Sequence, residues 1–260
     1  MVETCPAEFV AFAHLLGDVA GDILRARAAL PPMVEIKGDG SPVTETDKAV
    51  EAAVRAEILR AFPAHGIHGE EFPAERLDAE WVWVIDPLDG TKEYVQGLPL
   101  FGFLLGLLHG EEIVLGLAEQ PQLRHRWVGA AGHGTERGGQ KVRTRACRSL
   151  ATAVVSTMGY DTFASNRHDQ LARLRINHRA TVTADSFYVF GLLAEGRVDL
   201  IASDGFALHD YAALDAVVRN AGGVVTDLSG RPLGRRSDGS ILAAATAELH
   251  AEALGLLLGH

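Results

Sequence analysis

WVWVIDPLDGTKEY, residues 81–94, is the most informative stretch of this 260-residue chain. Trp81, Val82, Trp83, Val84 and Ile85 form an alternating run of large apolar side chains, the pattern of a buried strand. The strand is expected to end on Asp86, because Pro87 lacks the N–H that a ladder needs. Asp89 follows, then Gly90-Thr91 and a predicted helical turn. Two carboxylates thus reach one bend at a strand end. Oxygen-rich bends of this kind suit Mg²⁺, a hard cation that often shares its shell with phosphate. Gly90 lets the backbone approach an anion, and the N–H groups opening the next turn can face it. A bare DxxDG reads more often as a solvated loop. The whole string DPLDGT directly after an apolar strand reads as a metal and phosphate site.

Composition narrows the function class. Formal net charge is −10, which argues against nucleic acid or an anionic membrane as the main partner. A phosphate ester would also be repelled unless bound cations invert the local field. With 47% hydrophobic and 22% charged residues, the balance is that of a folded soluble chain. Cys5 and Cys147 are too few for a disulfide framework, so a reducing cytoplasm is expected. Glu3, Glu8 and Asp18 leave no basic region before an apolar block, so no signal peptide is expected. Phe101–Leu108 is too short to span a bilayer.

Outward from the central stretch, Phe9, Phe12, Leu16, Val19, Ile23 and Leu24 recur at helical spacing and predict an amphipathic helix ending near Leu30-Pro31-Pro32. Gly38–Pro42 is a loop. Thr44 and Asp47 resemble a capping box opening a helix with Val50, Val54 and Ile58 on one face and Pro63 at its end. Asp47 alone reads as a carboxylate favouring the helix dipole. Paired acids such as Glu70-Glu71 on a turn are usually solvated. His68 has no HExxH helix or Cys cluster beside it and reads as structural. Phe101–Leu108, Ile113–Ala118 and Arg126–Gly129 predict antiparallel strands, with a turn at His109-Gly110. The Gly-rich run from Gly129 to Gly139 reads as a surface hairpin and as the seam between halves.

The second half alternates. Strands are predicted at Ala153–Thr157, Val182, Val198–Ala202, Val224–Thr226 and Ile241–Ala245. Helices are predicted at Asn166–Leu174, Asp185–Ala194 and Tyr211–Asn220, with Thr246 capping a closing helix. Alternation argues for α/β with partly parallel pairing.

Five pieces stand in an order that closely resembles the inositol monophosphatase superfamily, Mg²⁺-dependent and usually Li⁺-sensitive phosphomonoesterases. They are Lys37, SPVTETD (Ser41–Asp47), Gly69-Glu70-Glu71, DPLDGT (Asp86–Thr91), and His209-Asp210-Tyr211 leading to Ala221-Gly222-Gly223. His209 departs from the family's usual Trp or Tyr. The resemblance implies an α/β (α+β) fold, a layered αβαβα sandwich with an antiparallel N-terminal sheet and a mixed C-terminal sheet. Residues 1–138 would carry most metal ligands and 139–260 would supply Asp210 and substrate contacts, in one compact catalytic unit. It further implies that Glu70, Asp86, Asp89 and Asp210, with the Leu88 carbonyl, hold two or three Mg²⁺ ions. Glu70 then serves the attacking water as well as the metal. Thr91, oriented by Asp47, helps to deprotonate that water, while Gly90 and Thr91 N–H groups cradle the phosphate. The implied partner is a small phosphate ester, and the implied assembly a homodimer.

Within the superfamily, GLPLFGFLLGLLHG, AEQPQLRHRWVG and ADSFYVFGLLAEGRVDLI most resemble the histidinol-phosphate phosphatase branch. Asp185 falls where that branch carries an Asp and inositol phosphatases carry Ser. An acid near the leaving group suits an amino alcohol. Both branches usually place Glu seven residues before the Asp of the second motif. Here that position is Ser203, with Asp204 beside it as a further candidate substrate contact. Histidinol phosphate is therefore the expected substrate, with inositol-1-phosphate or another small sugar phosphate as the alternative.

Overall fold

Two helices lead the chain in this computed structural model, which describes residues 4–38, 40–157, 173–174, 178–183 and 186–259. The first, α1, runs Ala7–Arg27 and buries Phe9, Leu16 and Leu24 of the expected stripe together with Ala13 and Ala20, while Phe12, Val19 and Ile23 are half-buried beside it. It is followed by a two-stranded ribbon, β1 (Val34–Ile36) and β2 (Pro42–Thr44). Helix α2 (Glu45–Ala61) opens on the expected capping box: Asp47 Oδ2 accepts the Thr44 N–H at 2.8 Å, and Thr44 Oγ1 accepts the Thr46 N–H at 3.1 Å.

The first sheet has seven strands in sequence order. They are β3 (Gly66–Gly69), β4 (Trp81–Asp89), β5 (Gly102–His109), β6 (Glu112–Gln120), β7 (His125–Ala130), β8 (Gly134–Arg137) and β9 (Gln140–Val142). A short helix, α3 (Thr91–Val95), follows β4. Two details differ from the sequence reading. The sheet is antiparallel except at its first pair, where β3 runs parallel to β4. Strand β4 does not stop at Asp86. Asp86 pairs with Leu104 and Asp89 with Gly102, and the register shift between them accommodates Pro87 without asking it for a hydrogen bond. The Gly129–Gly139 run holds the expected hairpin, and the sheet continues through β9.

The second sheet combines β10 (Val154–Thr157), β11 (Ala180–Thr181), β12 (Leu200–Ser203), β13 (Val224–Thr226) and β14 (Ile241–Ala244) in the order β11-β10-β12-β14-β13. Its first two pairings are parallel and the others antiparallel, the mixed sheet expected. Helices α4 (Tyr188–Ala194) and α5 (Leu208–Asn220) lie between the sheets, and α6 (Ala247–Leu258) closes the far side. Thr246 Oγ1 caps α6 through the Leu249 N–H at 3.2 Å. The helices begin at Tyr188 and Leu208, where Asp185 and Tyr211 were expected. The predicted helix at Asn166–Leu174 lies almost wholly outside the described residues.

Both faces of β4 are buried, which explains its unbroken apolar run. Trp83 and Ile85 pack with α1 and α2, whereas Val82 and Val84 pack with Phe187, Phe190, Tyr211 and Ala212. A third core, including Leu200, Leu242, Leu249 and Leu257, joins the second sheet to α6. The layers are therefore αβαβα. Among the described residues no helix is long and apolar enough to cross a membrane.

The seat of α5 against the first sheet rests on glycines that sequence pattern alone did not single out. Gly106, Gly116 and Gly129 lie side by side on three neighbouring strands. A Cβ at Gly106 would stand 2.7 Å from Ala212 Cβ, one at Gly116 2.1 Å from Ala213 O, and one at Gly129 2.5 Å from Ala216 O. The helix backbone thus lies directly on the sheet backbone, and its N-terminal Asp210 is located by that contact.

Candidate active site

Three elements converge where β4 ends. The parallel register places His68 opposite Val84 and Gly69 opposite Ile85, so Glu70, the residue after β3, comes level with Asp86 within β4. The register shift in β4 then brings Asp89 back into pairing, and α5 presents Asp210 from its first turn. Asp86, Asp89 and Asp210 each offer an oxygen lying within 4.8 Å of the others. Asp86 is buried and accepts the Leu88 N–H at 3.0 Å.

Gathering these groups has an electrostatic cost. Burial, followed by the charges of Asp89, Glu70 and Asp210, pushes Asp86 well above the ordinary carboxylate value. Asp89 is pushed up to about 8, first by burial and then by Asp210. Asp210 is also raised by burial, against the opposing influence of His209 and of the Ala207 N–H that its Oδ2 accepts at 2.6 Å. Asp210 is both a helix cap and a member of the cluster.

Glu70 stands beside this trio, held by Lys37, whose ammonium contacts Glu70 Oε1 and Glu71 Oε1, both at 2.7 Å. Burial alone would lower Lys37, but the two carboxylates outweigh it and raise its pKa. His209 Nε2 lies 3.5 Å from Asp210 Oδ1 and 4.0 Å from Glu70 Oε2. Its ring stacks toward His68 at a centroid distance of 6.5 Å. His68, expected to be structural, therefore adjoins the site through His209.

Asp47 divides its two oxygens between fold and site. Oδ2 caps α2, while Oδ1 faces Thr91 Oγ1 at 3.2 Å. The Thr91 hydroxyl also lies 3.0 Å from the Leu88 carbonyl, so one proton has two acceptors. Asp47 is fully buried, and burial raises its pKa against the hydrogen bonds that lower it. Gly90, with φ +82°, turns the chain between Asp89 and Thr91, and a Cβ there would stand 2.7 Å from Leu100 O. Ser203 is buried in β12, and Asp204 Oδ1 accepts the Gly205 N–H at 2.9 Å. Asp185 lies outside the described residues. Lys37 bridging two glutamates was not legible as a role, since a lysine before a glycine loop carries no pairing signal.

Residues 6–258 match the model of the inositol monophosphatase family. The histidinol-phosphatase of Streptomyces coelicolor is 38% identical over 259 residues, covering 94% of this chain and 95% of its own. The chloroplastic bifunctional phosphatase IMPL2 of Arabidopsis thaliana is 33% identical over 261 residues, covering 97% of this chain and 75% of its own. The solved structure of an inositol monophosphatase from Zymomonas mobilis superposes with a TM-score of 0.88 at 35% identity, covering 97% of this chain and 98% of that one.

Proposed function

The chain belongs to the inositol monophosphatase family of phosphatases, and on that footing we propose that it is a Mg²⁺-dependent phosphomonoesterase acting on histidinol phosphate. The observation that carries the reading is the trio Asp86, Asp89 and Asp210, gathered within 4.8 Å although burial and mutual repulsion oppose it. Cations compensate such a cluster, and its all-oxygen donors fit a hard divalent ion. Asp86, Asp89 and Asp210, with Glu70 and the Leu88 carbonyl, would hold two or three Mg²⁺ ions. When bound, the metal supplies Lewis-acid stabilisation of the charge that develops on phosphoryl and leaving-group oxygens.

The protein's own groups supply the rest. Thr91 Oγ1 has lone pairs free to accept a proton from the attacking water, and it passes its own proton toward Asp47. Burial makes Asp47 a better acceptor than an exposed carboxylate. Gly90 and Thr91 N–H groups would hold the phosphate as α3 begins. Water attacks phosphorus in line, and the alkoxide leaves on the opposite side and takes up a proton from solvent water to give the alcohol.

Histidinol phosphate, an intermediate of histidine biosynthesis, is favoured by the wording around Asp185 and by the 38% relative. Inositol-1-phosphate or another small sugar phosphate is the alternative, supported by the Zymomonas mobilis structure. A cytoplasmic setting and a homodimer go with the same reading. Steady-state kinetics on both esters test it. The expected kcat/KM for histidinol phosphate exceeds that for inositol-1-phosphate by about 10-fold or more, and Asp185→Ser lowers the former by about 10- to 100-fold. Preference for inositol-1-phosphate, unchanged by Asp185→Ser, selects the alternative.

Thermal melting checks the metal reading independently. A carboxyl raised on folding from 3.8 to about 8, as at Asp89, binds more protons folded than unfolded between those values. Stability of the metal-free protein therefore falls as pH rises through that window. In EDTA, the melting temperature should drop between about pH 5 and about pH 8. Millimolar Mg²⁺, which binds the folded state, should raise it, most strongly at the upper pH. Equal midpoints with and without Mg²⁺ at the upper pH contradict the cluster's role.

A further inference from the structure

We propose that Glu51, on α2 and outside the carboxylate cluster, is a positioning residue that sets Glu70 for metal binding. The proposal rests on the reading of Glu70 as a ligand. Glu51 is 0% exposed, an unusual place for a carboxylate unless every lone pair is well used. Two of its three hydrogen-bond donors among the described residues come from the loop that carries Glu70: the Glu71 N–H reaches Oε2 at 2.7 Å and the Phe72 N–H reaches Oε1 at 3.2 Å. The third is Arg55 Nε at 2.7 Å, one helical turn away. Arg55 extends the clamp, donating to Phe72 O and to Glu75 Oε1, both at 3.0 Å.

Gly69 reveals how closely this clamp is seated. A Cβ there would stand 1.9 Å from Glu51 Oε1, so the carboxylate lies against the backbone immediately before Glu70. On the loop's other side Lys37 holds Glu70 and Glu71. Because Gly69 pairs with Ile85, any displacement of the loop changes the spacing of Glu70 from Asp86 directly. Asp47, Glu51 and Arg55 recur every four residues along α2, a polar line between the apolar Val50, Val54 and Ile58. One end of that line orients Thr91, and its middle orients the Glu70 loop.

Calorimetric Mg²⁺ titration of the full chain separates positioning from a purely structural role. Glu51→Gln keeps the volume but removes one acceptor, so the two loop N–H groups and Arg55 can no longer all be satisfied. The expected result is a Mg²⁺ dissociation constant raised by about 10-fold, the size typical of losing a partner behind a metal ligand. Added Mg²⁺ should recover most of kcat. Glu70→Gln should weaken binding at least as much, and adding Glu51→Gln to it should have little further effect. Gly69→Ala, which keeps the Glu51 carboxylate but sets a Cβ 1.9 Å from its Oε1 and so pushes it off the loop, should raise the same constant if Glu51→Gln does not fold. A lowered melting temperature with an unchanged Mg²⁺ constant in both Glu51→Gln and Gly69→Ala, while Glu70→Gln does weaken binding, overturns the positioning role alone. No change with Glu70→Gln removes the ligand reading beneath it.

Discussion

Asp89→Asn or Asp210→Asn should lower kcat by on the order of 10²-fold or more, the scale seen when one group that stabilises transition-state charge is removed. Both residues belong to the trio whose oxygens lie within 4.8 Å of one another. Asparagine keeps the shape and one acceptor oxygen, so the Asp210 contact with the Ala207 N–H can persist. It also removes a charge from a site where like charges repel, so the metal-free melting temperature should hold or rise. Activity and stability are thus expected to move in opposite directions, the mark of a residue retained for chemistry. Either variant working at near-normal kcat in saturating Mg²⁺ sinks the assignment of that residue.

Gly116→Ala should destabilise the protein and damage the site together. Its new Cβ meets Ala213 O at 2.1 Å, and backbone stands on both sides of the contact. The helix must lift from the sheet. Overpacking with no flexible side chain to yield belongs at the upper end of the usual range, about 3 kcal/mol. For a chain of this size that lowers the melting temperature by roughly 6–12 °C. Asp210 rides on the same helix, and a displacement of about 1 Å at a reacting centre can cost about 10²-fold in rate. Gly255→Ala is the matched control. It lies in α6 with nothing within 4 Å of its added Cβ, so it should be neutral or stabilising by up to about 1 kcal/mol. If Gly116→Ala melts and turns over like wild type, α5 is not seated as described.

The contrast between these two glycines marks where sequence reading stops. Trp81–Ile85 was legible because both faces of β4 are buried and every residue there is apolar. Thr44 and Asp47 were legible because a capping box needs only two side chains three residues apart. Pro87 misled, since the ladder skips it and resumes at Asp89, an event set by partner strand β5. Strand β3, GIHG, gave no signal: two glycines and a histidine have little strand preference, and β4 imposes the pairing. Gly106, Gly116 and Gly129 are scattered in sequence and become a row only through strand register. Glu51 left a trace in the four-residue spacing of Asp47, Glu51 and Arg55, but its partners at Glu71 and Phe72 are tertiary.

The central claim is that a metal-loaded carboxylate cluster makes this chain a phosphomonoesterase. Its most direct test is release of inorganic phosphate from histidinol phosphate and inositol-1-phosphate by purified protein, first in EDTA and then after excess Mg²⁺ is restored. The account predicts no turnover in EDTA, turnover of at least one ester with Mg²⁺, and loss of that turnover in Asp210→Asn. Undiminished phosphate release in EDTA, or none from either ester with Mg²⁺ present, would contradict it.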